Sequence, residues 1–178
     1  SVSAFLLNRS SDLEIMKDNR ITSAFPMSAL IIIITTLYNL LILAMVYNAF
    51  RSSIIVLEII SLVFLITPAF FIPLRLVVDE KSLRIWRPIG KVEIRQEDIQ
   101  SCSVIEDSRS IFDRTIRTFG SGGLYGFLGH FKHNKYGKMR MFVTHPKQCF
   151  LIRTNDGRNF VVSSPKRKEI VEFINGKF

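Results

Sequence analysis

The chain has 178 residues, of which 48% are hydrophobic and 22% charged, and its formal net charge is +9. The apolar excess lies in the first 74 residues, and the remaining residues are enough for one small domain with its own core. This composition is more apolar than is usual for a soluble protein and less apolar than is usual for a wholly membrane-embedded one, and it predicts one membrane module followed by one soluble module.

The N-terminal segment, residues 1–24, shows no lasting hydrophobic period. A short interfacial helix and a disordered cytoplasmic segment are both compatible with it. The chain begins with Ser1, so Met16 is a candidate native start. A cleaved signal peptide fits poorly, because the apolar run that follows is too long and no A-x-A site comes after it.

Two apolar runs, Phe25–Val46 and Ile54–Ile72, are separated by the polar bend Tyr47–Ser53. The first run has 22 residues and no charged side chain, and the second has 19 residues and one, Glu58. A helix of that first length is about 33 Å long, enough to cross a hydrocarbon core of about 30 Å. The pattern predicts a two-helix transmembrane hairpin over residues 25–73.

The charges predict which way this hairpin faces. Residues 1–24 and 25–73 each sum to zero, so the whole excess of +9 lies on residues 74–178. The bend carries only Arg51, whereas seven Lys and Arg residues flank the two spans. We therefore expect a two-pass protein of the plasma (inner) membrane with both termini in the cytoplasm, where an anionic leaflet attracts the basic domain. No zinc pattern, helix-turn-helix or basic helix indicates a nucleic acid partner.

Polar residues inside the predicted spans allow a second hypothesis. Asn39 lies about level with Ser61, so the two side chains could form a hydrogen bond. Glu58 is an intramembrane carboxylate, although it lies near the outer end of its helix, where it reaches water. The alternative function is therefore a subunit of a transport or channel assembly that uses Asn39 and Glu58. Pro68 predicts a kink at the cytoplasmic exit.

Short alternating segments predict seven strands after Pro73, separated by turns. Residues 107–119 are ambiguous, and Asn155–Arg158 is typical of a hairpin turn. Ser164 and Pro165 predict the start of a closing helix, and Gly176 predicts its end. The predicted strands are Leu74–Asp79, Ser82–Arg87, Lys91–Arg95, Ile99–Ile105, Lys138–Thr144, Cys149–Thr154 and Asn159–Ser163.

Two stretches carry a resemblance to a known family. Ile152–Pro165, a strand, an Asp-Gly hairpin and a strand ending in Ser-Pro, and the helix ending Glu169–Ile174 resemble the bacterial pleckstrin-homology (PH) domain family. The resemblance implies an α+β chain in which residues 74–178 form a PH-like, seven-stranded antiparallel barrel with a C-terminal helix. The resemblance also implies a location at the membrane. Because no catalytic constellation stands out in the sequence, we expect a membrane-anchored binding or scaffold protein with no catalytic activity and no cofactor, whose partner is the lipid bilayer, another protein or a second copy.

The glycine-rich stretch Phe119–Phe131 is predicted as a loop, and its glycines do not match either phosphate-binding pattern. Its apolar residues fall at helical spacing and precede a basic flank, a combination that suits contact with an anionic membrane or with a protein partner. Packing of these residues against the barrel, with the glycines permitting tight turns, is the favoured interpretation, and the contact surface is the alternative. The candidate contact residues are Leu124, Tyr125, Phe127, Leu128, Phe131, Lys132, Lys135, Lys138 and Arg140.

Other candidate chemistry is weaker. Lys81, Arg84 and Arg87 lie near the first hairpin, but their spacing departs from the phosphoinositide-binding motif that the family resemblance implies, so we expect a solvated basic face. No standard zinc spacing is present among the His and Cys residues. A membrane enzyme that uses Gly120–Gly129 is the least favoured alternative, since G-x-S-x-G is absent. Cys102 and Cys149 are predicted to be buried, reduced thiols.

Overall fold

The computed structural model describes residues 20–51, 55–107 and 111–176. The expectations for residues 1–19, Met16 included, and for residues 52–54 of the bend lie outside these ranges. The elements of the described residues are β1 (Ile21–Ala24), α1 (Ala29–Arg51), α2 (Ile55–Ile66), β2 (Arg75–Val78), β3 (Ser82–Trp86), β4 (Lys91–Arg95), β5 (Ile99–Val104), β6 (Thr115–Gly122), β7 (Phe127–His133), β8 (Gly137–Val143), β9 (Cys149–Thr154), β10 (Asn159–Ser163) and α3 (Arg167–Asn175).

The first helix is displaced along the sequence from its predicted position. It begins at Ala29 instead of Phe25, because Pro26 keeps the residue before it extended. The first helical hydrogen bond runs from the backbone N–H of Ile32 to the Ser28 carbonyl, at 3.0 Å. It continues through residues 47–51, which were predicted as part of a polar bend. Asn48 fits inside the helix because its side-chain amide donates to the Ala44 carbonyl at 2.8 Å.

The second apolar run forms a shorter helix than predicted. α2 has 12 residues and gives way to a 3-10 turn over Thr67–Phe71, so α-helical geometry ends two residues before Pro68. The two helices pack together, and the Tyr38 hydroxyl donates to the Phe64 carbonyl at 3.0 Å. Among the described helices, α1, with 23 residues and a mean hydropathy of 2.5, is the one long and apolar enough to cross a membrane.

A short strand precedes the helices. β1 pairs antiparallel with β2, where a helix or disorder was expected. The buried Ser23 hydroxyl lies 2.7 Å from that of Ser164, at the start of the C-terminal segment. The sheet therefore holds the chain on both sides of the helix pair, just before α1 and just after α2.

The remaining strands form two sheets, ordered β1-β2-β3-β4 and β5-β9-β10-β8-β7-β6. All seven predicted strands are present, with boundaries within one residue. The predicted seven-stranded antiparallel barrel is nevertheless wrong in detail. β8 and β10 run parallel, three further strands are present, and within the described ranges no ladder closes the two sheets on each other. The 3-10 turn Gln96–Asp98 interrupts the pairing where the chain passes from one sheet to the other.

The core lies on both faces of the six-stranded sheet. One cluster joins Phe142, Phe150 and Ile152 to the four-stranded sheet and to α3. A second cluster lies on the opposite face, around Met141 and Ile111. Each face of this sheet therefore carries a core cluster, the second of which includes Phe131 of β7, whereas the edge strand β6 is largely exposed.

The C-terminal helix begins two residues later than predicted. The backbone N–H of Lys166 donates to the Ser164 hydroxyl at 3.1 Å, and the helix itself starts at Arg167. Gly176 ends it, donating its N–H to the Glu172 carbonyl at 2.8 Å, as predicted.

The glycine-rich stretch is an antiparallel hairpin, and its prediction as a loop with helical spacing is wrong. Gly120 of β6 lies directly opposite Gly129 of β7. Both glycines have positive φ, +109° and +126°. A Cβ on Gly120 would lie 2.1 Å from the Leu128 carbonyl oxygen, and one on Gly129 would lie 2.3 Å from that of Phe119. The glycines are there because the two backbones approach too closely for any side chain.

We expect Gly129→Ala to destabilise the full chain by about 2 kcal/mol or more, through backbone strain and the clash with Phe119. Gly122→Ala is the matched control. Its φ is not in the left-handed region, and its nearest neighbour would be the flexible Arg117 side chain at 3.5 Å. Thermal unfolding in detergent measures both, and equal melting temperatures for the two variants would contradict the close approach.

The two thiols are buried in separate clusters, and burial raises the pKa of both Cys102 and Cys149 to about 12. At pH 8 only about one thiol in ten thousand is then ionised. We expect iodoacetamide to leave both unmodified in the folded chain and to alkylate both after denaturation, with Lys135→Cys as an exposed positive control. Stoichiometric labelling of the folded protein would refute this.

Candidate functional site

The nine candidate contact residues do not form one surface. Leu128 and Phe131 are 2% and 3% exposed and lie inside the domain, so neither offers a contact surface. Leu124, Tyr125 and Phe127 are half-buried, as is Arg140. The three lysines, Lys132, Lys135 and Lys138, are exposed.

The tip of the β6–β7 hairpin is fastened to α1 through Tyr125. Its backbone N–H donates to the Thr35 hydroxyl at 3.0 Å, and its phenol donates to the Asn39 amide oxygen at 2.9 Å. Tyr125 has a left-handed backbone, with φ of 57°. The Asn39 side chain therefore bonds to Tyr125 and not, as was predicted, to Ser61. The buried Ser61 hydroxyl has no hydrogen-bond partner among the described residues.

Several backbone N–H and C=O groups of the tip form hydrogen bonds within the tip itself. Gly123 and Gly126 donate to each other's carbonyls at 3.0 and 3.4 Å, and the Ser121 hydroxyl donates to the Leu124 carbonyl. A hairpin end with its polar groups paired in this way tolerates an environment poor in water.

A groove of about 530 Å³ separates the hairpin from the helix pair. Its described lining holds no carboxylate, imidazole or thiol, so the lining offers no acid–base pair to an enzyme centred on Gly120–Gly129. The Ser121 hydroxyl donates a hydrogen bond to the Leu124 carbonyl, and no general base lies beside it in the described lining. The lining residues are Tyr38, Phe64, Thr67, Phe71, Arg117, Phe119, Gly120, Ser121, Gly122, Leu124 and Leu128.

Exposed apolar side chains surround the place where the chain leaves the helices. Leu74 donates its N–H to the Trp86 carbonyl at 2.8 Å, so these two lie side by side at the exit. Trp86 and Ile89, on the β3–β4 hairpin, are 45% and 62% exposed. On β6, Ile116 and Phe119 are 66% and 65% exposed. The sequence analysis placed Trp86 in the predicted strand Ser82–Arg87 but did not assign it to a contact surface.

Cations line the adjoining face of the six-stranded sheet. Lys132 lies directly opposite Lys138, and His130 lies directly opposite Arg140. The Arg140 guanidinium stacks on the Phe142 ring, 5.1 Å from its centroid. Burial, and then the charge of Arg87 in the other sheet, lower the pKa of Arg140. The pair Arg87 and Arg140 was not recognised from the sequence, because the two residues lie in different sheets.

The three basic residues of the first hairpin have different surroundings, and only Lys81 is exposed. Arg84 forms an ion pair with Asp79 and approaches Glu93 at 3.9 Å, so it is not a free cation. A hydrogen bond from Lys91 is the main cause that lowers the pKa of Glu93. The Arg87 Nε is buried and has no hydrogen-bond partner among the described residues.

Within the described ranges, no group of three or more His, Cys, Asp or Glu residues could hold a metal ion. His133 is buried, and its Nδ1 accepts the backbone N–H groups of Lys135 and Tyr136 at 2.9 and 3.2 Å. This histidine shapes the β7–β8 turn.

Comparison with known proteins identifies the C-terminal part. A family model described as the bacterial PH domain matches residues 74–178, more than half of the chain. The chain belongs to the bacterial PH domain family. The resemblance inferred from Ile152–Pro165 and the closing helix is thereby confirmed. No curated protein and no solved structure matches the chain. PH domains are typically non-catalytic binding modules, so a binding or scaffold role is supported.

The link between Tyr125 and Asn39 can be measured by a double-mutant cycle with Tyr125→Phe and Asn39→Ala. We expect a coupling of about 0.5–1.5 kcal/mol, because the phenol and the amide are hydrogen-bond partners. Unfolding of the full chain in detergent gives the four free energies.

Tyr47→Phe provides the matched control for this cycle. Tyr47 is exposed on the same helix, far from the hairpin, and we expect no coupling between its hydroxyl and Asn39. A Tyr125–Asn39 coupling indistinguishable from zero would exclude this hydrogen bond.

Proposed function

We propose that this bacterial PH domain protein is a two-pass inner-membrane protein whose PH-like domain faces the anionic cytoplasmic leaflet as a non-catalytic binding or scaffold module. The observation that carries the proposal is the exposure of α1, since only 17% of its most apolar window is buried. A soluble protein does not leave so long an apolar helix uncovered. Lipid on the sides of this helix accounts for it.

The combined length of α2 and the 3-10 turn that follows it supports a second crossing of the membrane. The 12 residues of α2 span about 18 Å, and the five of the 3-10 turn add about 10 Å, close to the hydrocarbon thickness. Since β1 and β2 are paired, the chain must return to the side of the membrane from which α1 starts.

The hairpin tip then lies at the depth of the inner leaflet. Thr35 and Asn39 lie about 9 and 15 Å along the helix axis from Ala29. Tyr125 contacts both, so the tip reaches past the start of the span. Leu124 and Phe119 flank the tip, and the tip's paired backbone suits the low water content there.

The exposed apolar and basic side chains of the domain suit the headgroup region of the cytoplasmic leaflet. Leu74, Trp86 and Ile89 are exposed beside the exit from the helices, at the level where aromatic residues favour the headgroup region. Nearby cations add attraction to an anionic leaflet, worth about 1 kcal/mol for each Lys or Arg close to the surface. A protein partner or a second copy would bind to a domain already fixed at the membrane, which raises its effective concentration.

Topology and depth are tested with three added cysteines, Phe50→Cys, Lys135→Cys and Leu124→Cys, and a membrane-impermeant maleimide. The native cysteines are buried and stay in place. We expect Phe50→Cys to label in right-side-out vesicles and Lys135→Cys in inverted ones. Leu124→Cys should resist labelling in both, because lipid covers it.

Detergent supplies the control for Leu124→Cys, since removing the bilayer should make it reactive. Continued resistance in detergent would show that protein, not lipid, covers the tip. Labelling of the Phe50 and Lys135 positions from the same side would overturn the two-pass topology.

A further inference from the structure

The face of the six-stranded sheet that extends beyond the four-stranded one carries a groove of about 720 Å³. Its floor follows the cross-strand register. One row runs Phe119, His130, Arg140, Phe160, and the neighbouring row pairs Lys132 with Lys138. Arg158, next to Phe160, stands at the rim.

The groove concentrates positive charge without internal neutralisation. Asp156 is the only carboxylate in its described lining, and it already binds Arg158 Nε at 2.5 Å. Lys132, Lys138 and Arg140 form no ion pair or hydrogen bond through their side chains in the described part of the chain. Like charges directly opposite each other across two strands are destabilising.

Arg140 is held ready for a ligand. Its side chain is half-buried, with the guanidinium carbon 5.1 Å from the centroid of the Phe142 ring, and the charge of Arg87, in the β3–β4 turn, acts on it. A guanidinium with neighbouring ammonium groups matches the geometry of a phosphate, which accepts two parallel N–H bonds from arginine and point-charge contacts from lysine.

We propose that this groove binds a phosphate-type oxyanion, with Arg140, Lys132 and Lys138 as its ligands and Arg87 as a supporting charge. The anion is a phospholipid headgroup or a soluble phosphate compound. Only the lipid source rests on the membrane contact proposed above.

The test uses the full chain in a non-ionic detergent at constant ionic strength, with three probes: pyrophosphate, short-chain phosphatidylglycerol and short-chain phosphatidylcholine. The single tryptophan, Trp86, reports binding by fluorescence, and thermal shift provides a second readout. We expect saturable binding of at least one of the two anionic probes and weak or no binding of the zwitterionic lipid.

Lys132→Gln combined with Lys138→Gln should weaken that binding at least tenfold. Without a ligand, the same double variant should melt at or above the temperature of the parent, because the repulsion is relieved, so a loss of binding cannot be assigned to unfolding. Lys147→Gln combined with Lys168→Gln removes the same charge at exposed positions outside the groove and should change affinity less than twofold.

Saturable binding of pyrophosphate but not of phosphatidylglycerol would keep the anion site and remove the lipid source. The vesicle labelling of the added cysteines is independent of this result. Equal loss of affinity in both double variants would show only diffuse surface charge and overturn the site. Absence of saturable binding by both anionic probes would overturn it as well.

Discussion

An apolar helix that carries polar side chains needs a partner for each of them, and α1 finds two of these partners in the PH-like domain. Thr35 accepts the backbone N–H of Tyr125, and Asn39 accepts its phenol. The helix therefore presents mostly apolar side chains outward and keeps Thr35 and Asn39 against the hairpin. The same contacts fix the domain relative to the helix pair, together with the β1–β2 pairing at the base.

That attachment depends on glycine. The hairpin reaches α1 because its two strands approach closely at Gly120 and Gly129, where side chains would meet the opposite backbone. Tyr125 then turns the chain with a positive φ and directs both its donors at the helix. A sequence that packs β6 and β7 in the usual way would not bring this tip to the same position.

The same glycines explain why the sequence analysis missed β6 and β7 while it predicted the other strands of the PH-like domain. Segments such as Ser82–Trp86 and Lys91–Arg95 alternate inward and outward residues, and alternation is what a covered sheet imposes on a sequence. In β6 and β7, glycines interrupt the alternation, and both faces of the hairpin carry apolar residues, so the pattern resembled a loop. The family was recognisable because the Asp-Gly turn and the closing helix are local features.

The basic face of the six-stranded sheet could not be predicted from local sequence patterns. Arg87 and Arg140 are far apart in the sequence, and only the fold brings them close enough for the charge of Arg87 to lower the pKa of Arg140. Lys132 faces Lys138 because the β7–β8 turn sets that register, and one residue of slip would turn these lysines to the opposite face. The sequence analysis grouped Arg84 and Arg87 in one solvated basic face, yet the fold pairs Arg84 with Asp79, whereas Arg87 forms no ion pair with any residue that the structure describes.

The distribution of charge connects the helices with the groove. The ion pairs of the described domain use Arg84, Lys91, Arg95 and Arg158, and none uses a cation on the groove floor. Aligned, unpaired cations reduce the stability of a free domain, but beside an anionic surface the same repulsion becomes attraction. In the proposed topology, the exposed apolar residues at the exit from the helices would lie beside that surface. The proposed anchor and the basic face would therefore account for each other: helices that cross the membrane would keep the domain close to the leaflet, and an anionic leaflet would offset the repulsion within the groove.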